Sequence, residues 1–222
     1  MKICEILRRE DIGDMGIGAM IVFIAMVLVA GIAASVLVQT ANRLEIRAMI
    51  TGEQTMGEVS TGVAVFDIEG HVKNSQVDSM TISIRPRAGS KDIDLKETVI
   101  EMSNGSVKVL LSYNASNAWN FNKSVSSFNG QIFSSYTLGW NMTNAEFGIL
   151  VLEDADGSCS APTPVINRGD SVMLCVNTSA CFGGGLTARQ DIWGTVMPEE
   201  GTPGVFSFRV PASLSEFVYD LY

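Results

Sequence analysis

From Met15 to Val38 the chain reads MGIGAMIVFIAMVLVAGIAASVLV, twenty-four residues without a charge in which Ser35 is the only conventionally polar side chain. As a helix this stretch would span roughly 36 Å at about 1.5 Å per residue, against a bilayer hydrocarbon core of roughly 30 Å. A helix apolar on every side cannot be the surface helix of a monomer in water, so it lies in lipid or is enclosed by other protein. Ala30 and Ala34, and Gly31 and Ser35, repeat at four-residue spacing, which lets neighbouring helices approach closely. Packing against copies of itself is the expected fate, with Gly18 and Phe23 in the same contact region.

Only fourteen residues precede this run, with Lys2, Arg8 and Arg9 ahead of Gly13 and Asp14. A basic segment before an apolar run reads as a targeting signal, yet the small-residue A-x-A cleavage site that normally follows such a run is missing. A cut before the run, leaving the apolar helix in the product, is the pattern of type IV pilins and archaeal flagellins. The string Gly16-Ile17-Gly18 followed by IVFIAMVLVAGIAASVL resembles the archaeal flagellin (archaellin) amino terminus, with Gly13 matching the last leader residue and Gly16 the third mature one. Pilins usually carry Glu at the fifth mature position; here it is Gly18, which favours archaellin. The acidic pair Glu10-Asp11 departs from the basic residue that family leaders place beside the Gly.

The net charge of −9 survives removal of residues 1–13, whose three basic and three acidic residues cancel. An acidic chain with no basic stripe is a poor nucleic-acid binder, so no nucleic-acid partner is expected. The leader's three basic residues against Arg43 and Arg47 beyond the helix weakly favour a cytoplasmic amino terminus. About 165 residues follow the helix and its flank, enough for one extracellular domain with its own core.

Beyond Val38, Ala41, Leu44 and Ala48 share one helical face while Arg43 and Arg47 sit on another. Gly52 and Gly57 are the expected stop signals. From Glu58 the period becomes alternating. Val59, Val63, Val65 and Ile68 predict a strand with a bulge near Phe66-Asp67, and Met80, Ile82 and Ile84 a second strand over Ser79 to Arg85 closed by Pro86. Further strands are expected at Glu97 to Met102, Val107 to Tyr113, Phe147 to Leu152, Ser171 to Asn177, Gln190 to Met197 and Val205 to Val210. No second helix is expected. The predicted class is α+β, a long amino-terminal apolar helix followed by an antiparallel, Ig-like β-sandwich head. The expected domains are 1–13 leader, 14–57 helix and 58–222 head.

The archaellin resemblance extends through this region. ITGEQTMGEVSTGVAVFDIEGHV, ISIRPRAGSKDIDLKETVI, FGILVLEDADGS, PVINRGDSVMLCVNTS and PEEGTPGVFSFRVP resemble family segments in family order. Ser103 to Ala145, rich in Asn and Ser, has no close family counterpart and is expected to form outward loops.

Five N-x-S/T sequons occur, at Asn104, Asn114, Asn122, Asn141 and Asn177, where chance would give about two. The excess points to glycosylation of an exposed face. Asn177, at a strand end, is the one expected to be protected. Cys4 leaves with the leader, so Cys159, Cys175 and Cys181 allow one bridge at most. Cys159 with Cys181 is the expected pair, leaving Cys175 as a buried small hydrophobe; Cys175 with Cys181 stands beside it as the alternative. Asp154 and Asp156 have the spacing that presents two hard oxygen ligands to calcium, although the rest of an EF-hand loop is missing; the bland reading is an acidic turn. Some archaellins carry a metal near such loops, so the resemblance keeps a structural calcium open. No cofactor is required.

Catalytic patterns are missing. There is no G-x-S-x-G, H-E-x-x-H or phosphate-cradling loop, since Gly183-Gly184-Gly185 lacks a following Lys. His71 is the only histidine and reads as a satisfied edge residue, and Glu199-Glu200 as a solvated turn. The expectation is therefore a non-enzymatic filament subunit. The resemblance implies the archaellum, with swimming motility and adhesion as its uses. It also implies a leader peptidase, a membrane-held precursor, other archaellins and an ATP-driven assembly platform as partners. A membrane-anchored extracellular binding domain, or another pilin-like adhesion filament subunit, is the alternative.

Overall fold

The computed structural model describes residues 2–116, 120–123, 132–133 and 142–222, with side chains of the first helix described from Gly16 onward. The chain divides into two units, residues 1–54 and 55–222. Helix α1 (Lys2–Ser60) passes without interruption through Gly13, Asp14, Gly52 and Gly57. The expected stops at Gly52 and Gly57 therefore do not end it. An interior glycine costs a helix only about 1 kcal/mol, and neither of these glycines has a positive φ. The expected boundary after Gly57 falls inside the last turn.

What ends the helix is a set of bonds made just beyond it. Thr61 is 2% exposed. Its carbonyl accepts from Thr202 N–H at 2.8 Å, and Gly62 carbonyl accepts from Arg87 N–H at 2.8 Å. Gly62 N–H donates to Ser90 Oγ at 3.1 Å, and Lys91 N–H donates to Thr61 Oγ1 at 3.4 Å. These bonds fix the start of the first strand.

Strands β1 (Val63–Lys73) and β2 (Gln76–Pro86) form a long hairpin. Its loop is Asn74 and Ser75, at φ 53° and 61°, two left-handed residues whose twist suits the flanking strands. The expected bulge is present, as a register slip between Val65 and Asp67. One layer continues from β2 to β9 (Ser171–Val176), β7 (Glu146–Glu153) and the short β6 (Phe121–Asn122), with β12 (Val218–Asp220) on the outer side of β1. The other layer runs β11 (Gly204–Arg209), β10 (Asp191–Met197), β4 (Val99–Ser103) and β5 (Lys108–Tyr113). A separate two-stranded piece pairs β3 (Ile93–Asp94) with β8 (Val165–Ile166).

Both layers face one core that includes Ile68, Ile82, Leu111, Phe147, Leu174 and Phe206. The sheet is mostly antiparallel, and the departures lie where the layers meet: β5 and β6 each pair parallel with β7. The long connection from Tyr113 to Glu146 allows the chain to return in the same direction, which a tight hairpin could not. At the other margin Val63 N–H donates to Thr202 carbonyl at 3.1 Å, drawing β1 toward β11. A smaller apolar cluster of Met142, Leu150, Met173 and Cys175 takes in Ile132 from the divergent segment.

A second helix exists, contrary to expectation. α2 (Thr178–Phe182) is one turn long, capped by Asn177, whose side chain accepts from Ala180 N–H, and closed by Gly183 at φ 70°. Its Asn cap and Gly stop are both in the sequence; five residues are too short for a periodic pattern to reveal.

Candidate functional site

The helix carries the dominant surface. Every described residue of α1 from Gly16 to Met56 is exposed, including Phe23 at 68% and Leu37 at 68%. A Cβ placed on Gly16, Gly18 or Gly31 would meet nothing within 4 Å. The small residues Ala30, Gly31, Ala34 and Ser35 therefore leave room on the helix that this chain does not fill. Among the described residues α1 is the one helix long and apolar enough to cross a membrane. Gly13 and Asp14 lie in α1, where the backbone alone is described.

The head carries an acidic loop. Asp154 follows β7, Asp156 stands in the next turn and Asp170 precedes β9; one oxygen of each lies within 4.8 Å of the others. Asp154 and Asp156 were the expected pair, and Asp170 is the addition that spacing could not supply, being brought in by the turn at Asn167. Backbone donors hold the carboxylates in place. Gly157 N–H donates to Asp154 Oδ1 at 2.8 Å, Ser158 N–H to Asp156 Oδ1 at 2.9 Å and Asn167 N–H to Asp170 Oδ2 at 2.9 Å. Asp156 is held down at about 2, first by the Ser158 N–H and then by the Asn167 carboxamide.

A cation already stands in this loop. Lys123 Nζ lies 2.8 Å from Asp154 Oδ2, on a side chain only 2% exposed, and also donates to Cys159 carbonyl at 3.2 Å. That carboxylate oxygen is buried and receives no aligned hydrogen bond, so the ammonium charge is what compensates it. Three carboxylates suit the hard-oxygen preference of calcium, and the Lys123 side chain is half exposed.

The expected Cys159–Cys181 bridge is not formed. Cys159, Cys175 and Cys181 are free and buried. Cys159 is pinned by its bridge to Pro164 and Cys181 by the first turn of α2, where its N–H donates to Asn177 carbonyl at 3.1 Å. Burial pushes the Cys159 thiol up to about 12 and Cys181 to about 11, so both stay protonated and unreactive near neutral pH. His71 pairs with Asp78 at 2.7 Å across the β1–β2 hairpin, and Glu199-Glu200 lies in the connection between β10 and β11.

The sequons are placed unequally. Asn104 is in the β4–β5 turn, Asn114 follows β5, Asn122 lies within β6 and Asn177 caps α2. Asn141 lies outside the described residues.

The archaeal-type flagellin family matches residues 13–208. The chain belongs to the archaeal flagellins. It is 43% identical over 213 residues to Flagellin B2 of Methanocaldococcus jannaschii, covering 96% of this chain and 95% of that one. Flagellin A of Methanococcus voltae is 35% identical over 212 residues, with 95% and 94% covered. The crystal structure of archaeal flagellin FlaB1 from M. jannaschii superposes with a TM-score of 0.64 at 29% identity, covering 72% of this chain and 96% of that one. The archaeal flagellum of Methanospirillum hungatei strain JF1 shares the fold over 93% of this chain and 98% of its own, with a TM-score of 0.62 at 14% identity. As an archaellin the chain is a structural subunit of the extracellular archaeal flagellum filament, serving motility, and not an enzyme.

Proposed function

We propose that the apolar half of α1 is the polymerising element. A leader peptidase that recognises Gly13, Asp14 and Gly16 removes residues 1–13, and the helices of successive subunits then pack along Gly18, Phe23, Ala30, Gly31, Ala34 and Ser35. The head forms the outer wall. The observation that carries this reading is the exposure of α1 from Gly16 to Met56.

Energetics support it. Fifteen large apolar residues lie between Met15 and Val38, and leaving them in water would cost on the order of 20 to 45 kcal/mol. The precursor is held in the membrane by the same residues. Lipid satisfies them nearly as well as protein, so extraction gains little from hydrophobicity alone. Helix packing, head contacts and an ATP-driven assembly platform supply the direction, and other archaellins join the same polymer.

Amino-terminal mass analysis of protein from sheared cell-surface filaments tests this. A peptide beginning at Asp14 is expected. Intact Met1 confined to the membrane fraction would overturn the reading in favour of an anchored extracellular domain.

A structural calcium is the second proposal, resting on Asp154, Asp156 and Asp170. The ion would take the charge-compensating role that Lys123 otherwise fills, with the three carboxylates as its ligands.

A further inference from the structure

The described sequons differ in what their carboxamides already do. Asn114 Nδ2 donates to Glu146 Oε1 at 2.8 Å, and Asn177 Nδ2 to Met142 carbonyl at 3.4 Å. Asn122 sits inside β6, opposite Leu150. Asn104 stands apart from these. Its Oδ1 accepts from Ser106 N–H at 3.0 Å and Val107 N–H at 2.7 Å, and Gly105 turns the chain at φ 86°. Among the described residues Nδ2 of Asn104 has no hydrogen-bond partner, and Nδ2 is the atom that N-glycosylation modifies.

Beside this tip lies Trp193. It is opposite Ser103 on β4, and its Cη2 is 3.5 Å from where a Cβ on Gly105 would stand. The indole is 48% exposed, in a face that also leaves Leu110 at 57% and Val205 at 66%. The Lys108–Glu101 ion pair at 2.7 Å shares this face. A large ring left half in water is a surface awaiting cover. A pyranose suits it, because its C–H face lies on the indole while its hydroxyls remain in solvent beside the charged pair.

We propose that Asn104 carries an N-linked glycan whose first sugar stacks on Trp193. In the covalent step Nδ2 of Asn104 attacks the anomeric carbon of a glycosyl phosphate donor. The C–N bond forms, the C–O bond to phosphate breaks, the phosphate leaves with the electron pair and Nδ2 gives up one proton. The proposal rests on the filament reading only in placing the head outside the cell.

Peptide mass mapping of the native protein tests the site, taking the chain from filaments or from the membrane, whichever holds it. The peptide Glu97–Lys108 is expected to carry added sugar mass, and Asn104→Gln to remove that mass alone. An unmodified Glu97–Lys108 peptide overturns the site. If the chain is missing from filaments the filament reading fails, yet this map still decides the present proposal.

The stack is tested with Trp119→Phe and Trp140→Phe together, leaving Trp193 as the sole indole, in detergent-dissociated subunits. Acrylamide quenching should be about twofold weaker with the glycan than in Asn104→Gln, since a sugar over one ring face shields about half of what is exposed. Trp193→Ala should keep the glycan attached. Equal quenching with and without the sugar overturns the stack.

Discussion

Gly201 lies so close to Thr61 that no side chain fits between them: its φ is 98°, and a Cβ there would overlap the Thr61 carbonyl. That carbonyl is the acceptor for Thr202 N–H at 2.8 Å, so the contact helps hold the helix exit against the turn before β11. Gly201→Ala combines left-handed strain with a forced backbone shift and should cost about 2–4 kcal/mol. Thermal unfolding of the full chain in detergent should show a Tm lower by about 4–15 °C. An unchanged Tm would falsify the close approach.

The small-residue stripe should matter to assembly and not to the head. Ala34→Phe or Gly31→Leu enlarges a position that is open within this chain, and both should reduce filament yield at least about tenfold by keeping helices apart. The unfolding of the head should not move. Normal filaments from either variant would mean that α1 packs through another face.

Calcium should raise Tm by about 5–10 °C when present at roughly a hundredfold excess over its dissociation constant. Lys123→Gln removes the ammonium 2.8 Å from Asp154. That variant should unfold earlier than the wild type in chelator and gain more from calcium. If neither chain responds to calcium, the carboxylates serve Lys123 alone.

Two carboxyl groups should make opposite contributions to pH dependence. Asp156, held down at about 2, binds protons more weakly in the fold than in the unfolded chain. Its stabilisation is present above about pH 4 and is lost as pH falls through about 2. Glu69 is raised, by burial first and then by Asp67 and Asp220. Its fold-favouring state is the protonated one, fully present below about pH 4.3 and lost as pH rises through the raised value. Asp156→Asn should lower Tm at pH 7 with a deficit that shrinks toward pH 2, and Glu69→Gln should raise Tm at pH 7 with a gain that shrinks toward pH 4. Melting curves across that range check both, and matching slopes for the two variants would contradict these assignments.

Alternation exposed the strands because their large apolar residues share one face: Met80, Ile82 and Ile84 point into the core while Ser79, Thr81 and Ser83, buried as well, lie on the other face, and the bulge at Val65–Asp67 showed as a broken period. The apolar helix was legible for the same reason, as composition alone dictates that it cannot face water. What was hidden is non-local. Asp170 reaches Asp154 because Asn167 folds back on it, and no spacing rule spans that turn. The parallel pairing of β5 with β7 depends on where a long connection returns, and the free thiols of Cys159 and Cys181 on which backbone bonds hold them. Gly52 and Gly57 misled because the helix ends where Thr61 and Gly62 find partners, not where a glycine first permits an ending.

A filament that moves fluid is loaded from the outside. Load on the head is met, where α1 gives way to the first strand, by the backbone of Thr61 and Gly62. The bonds from Thr202, Lys91, Ser90 and Arg87 grip these two residues, so force arriving there is shared by several strands and turns in parallel.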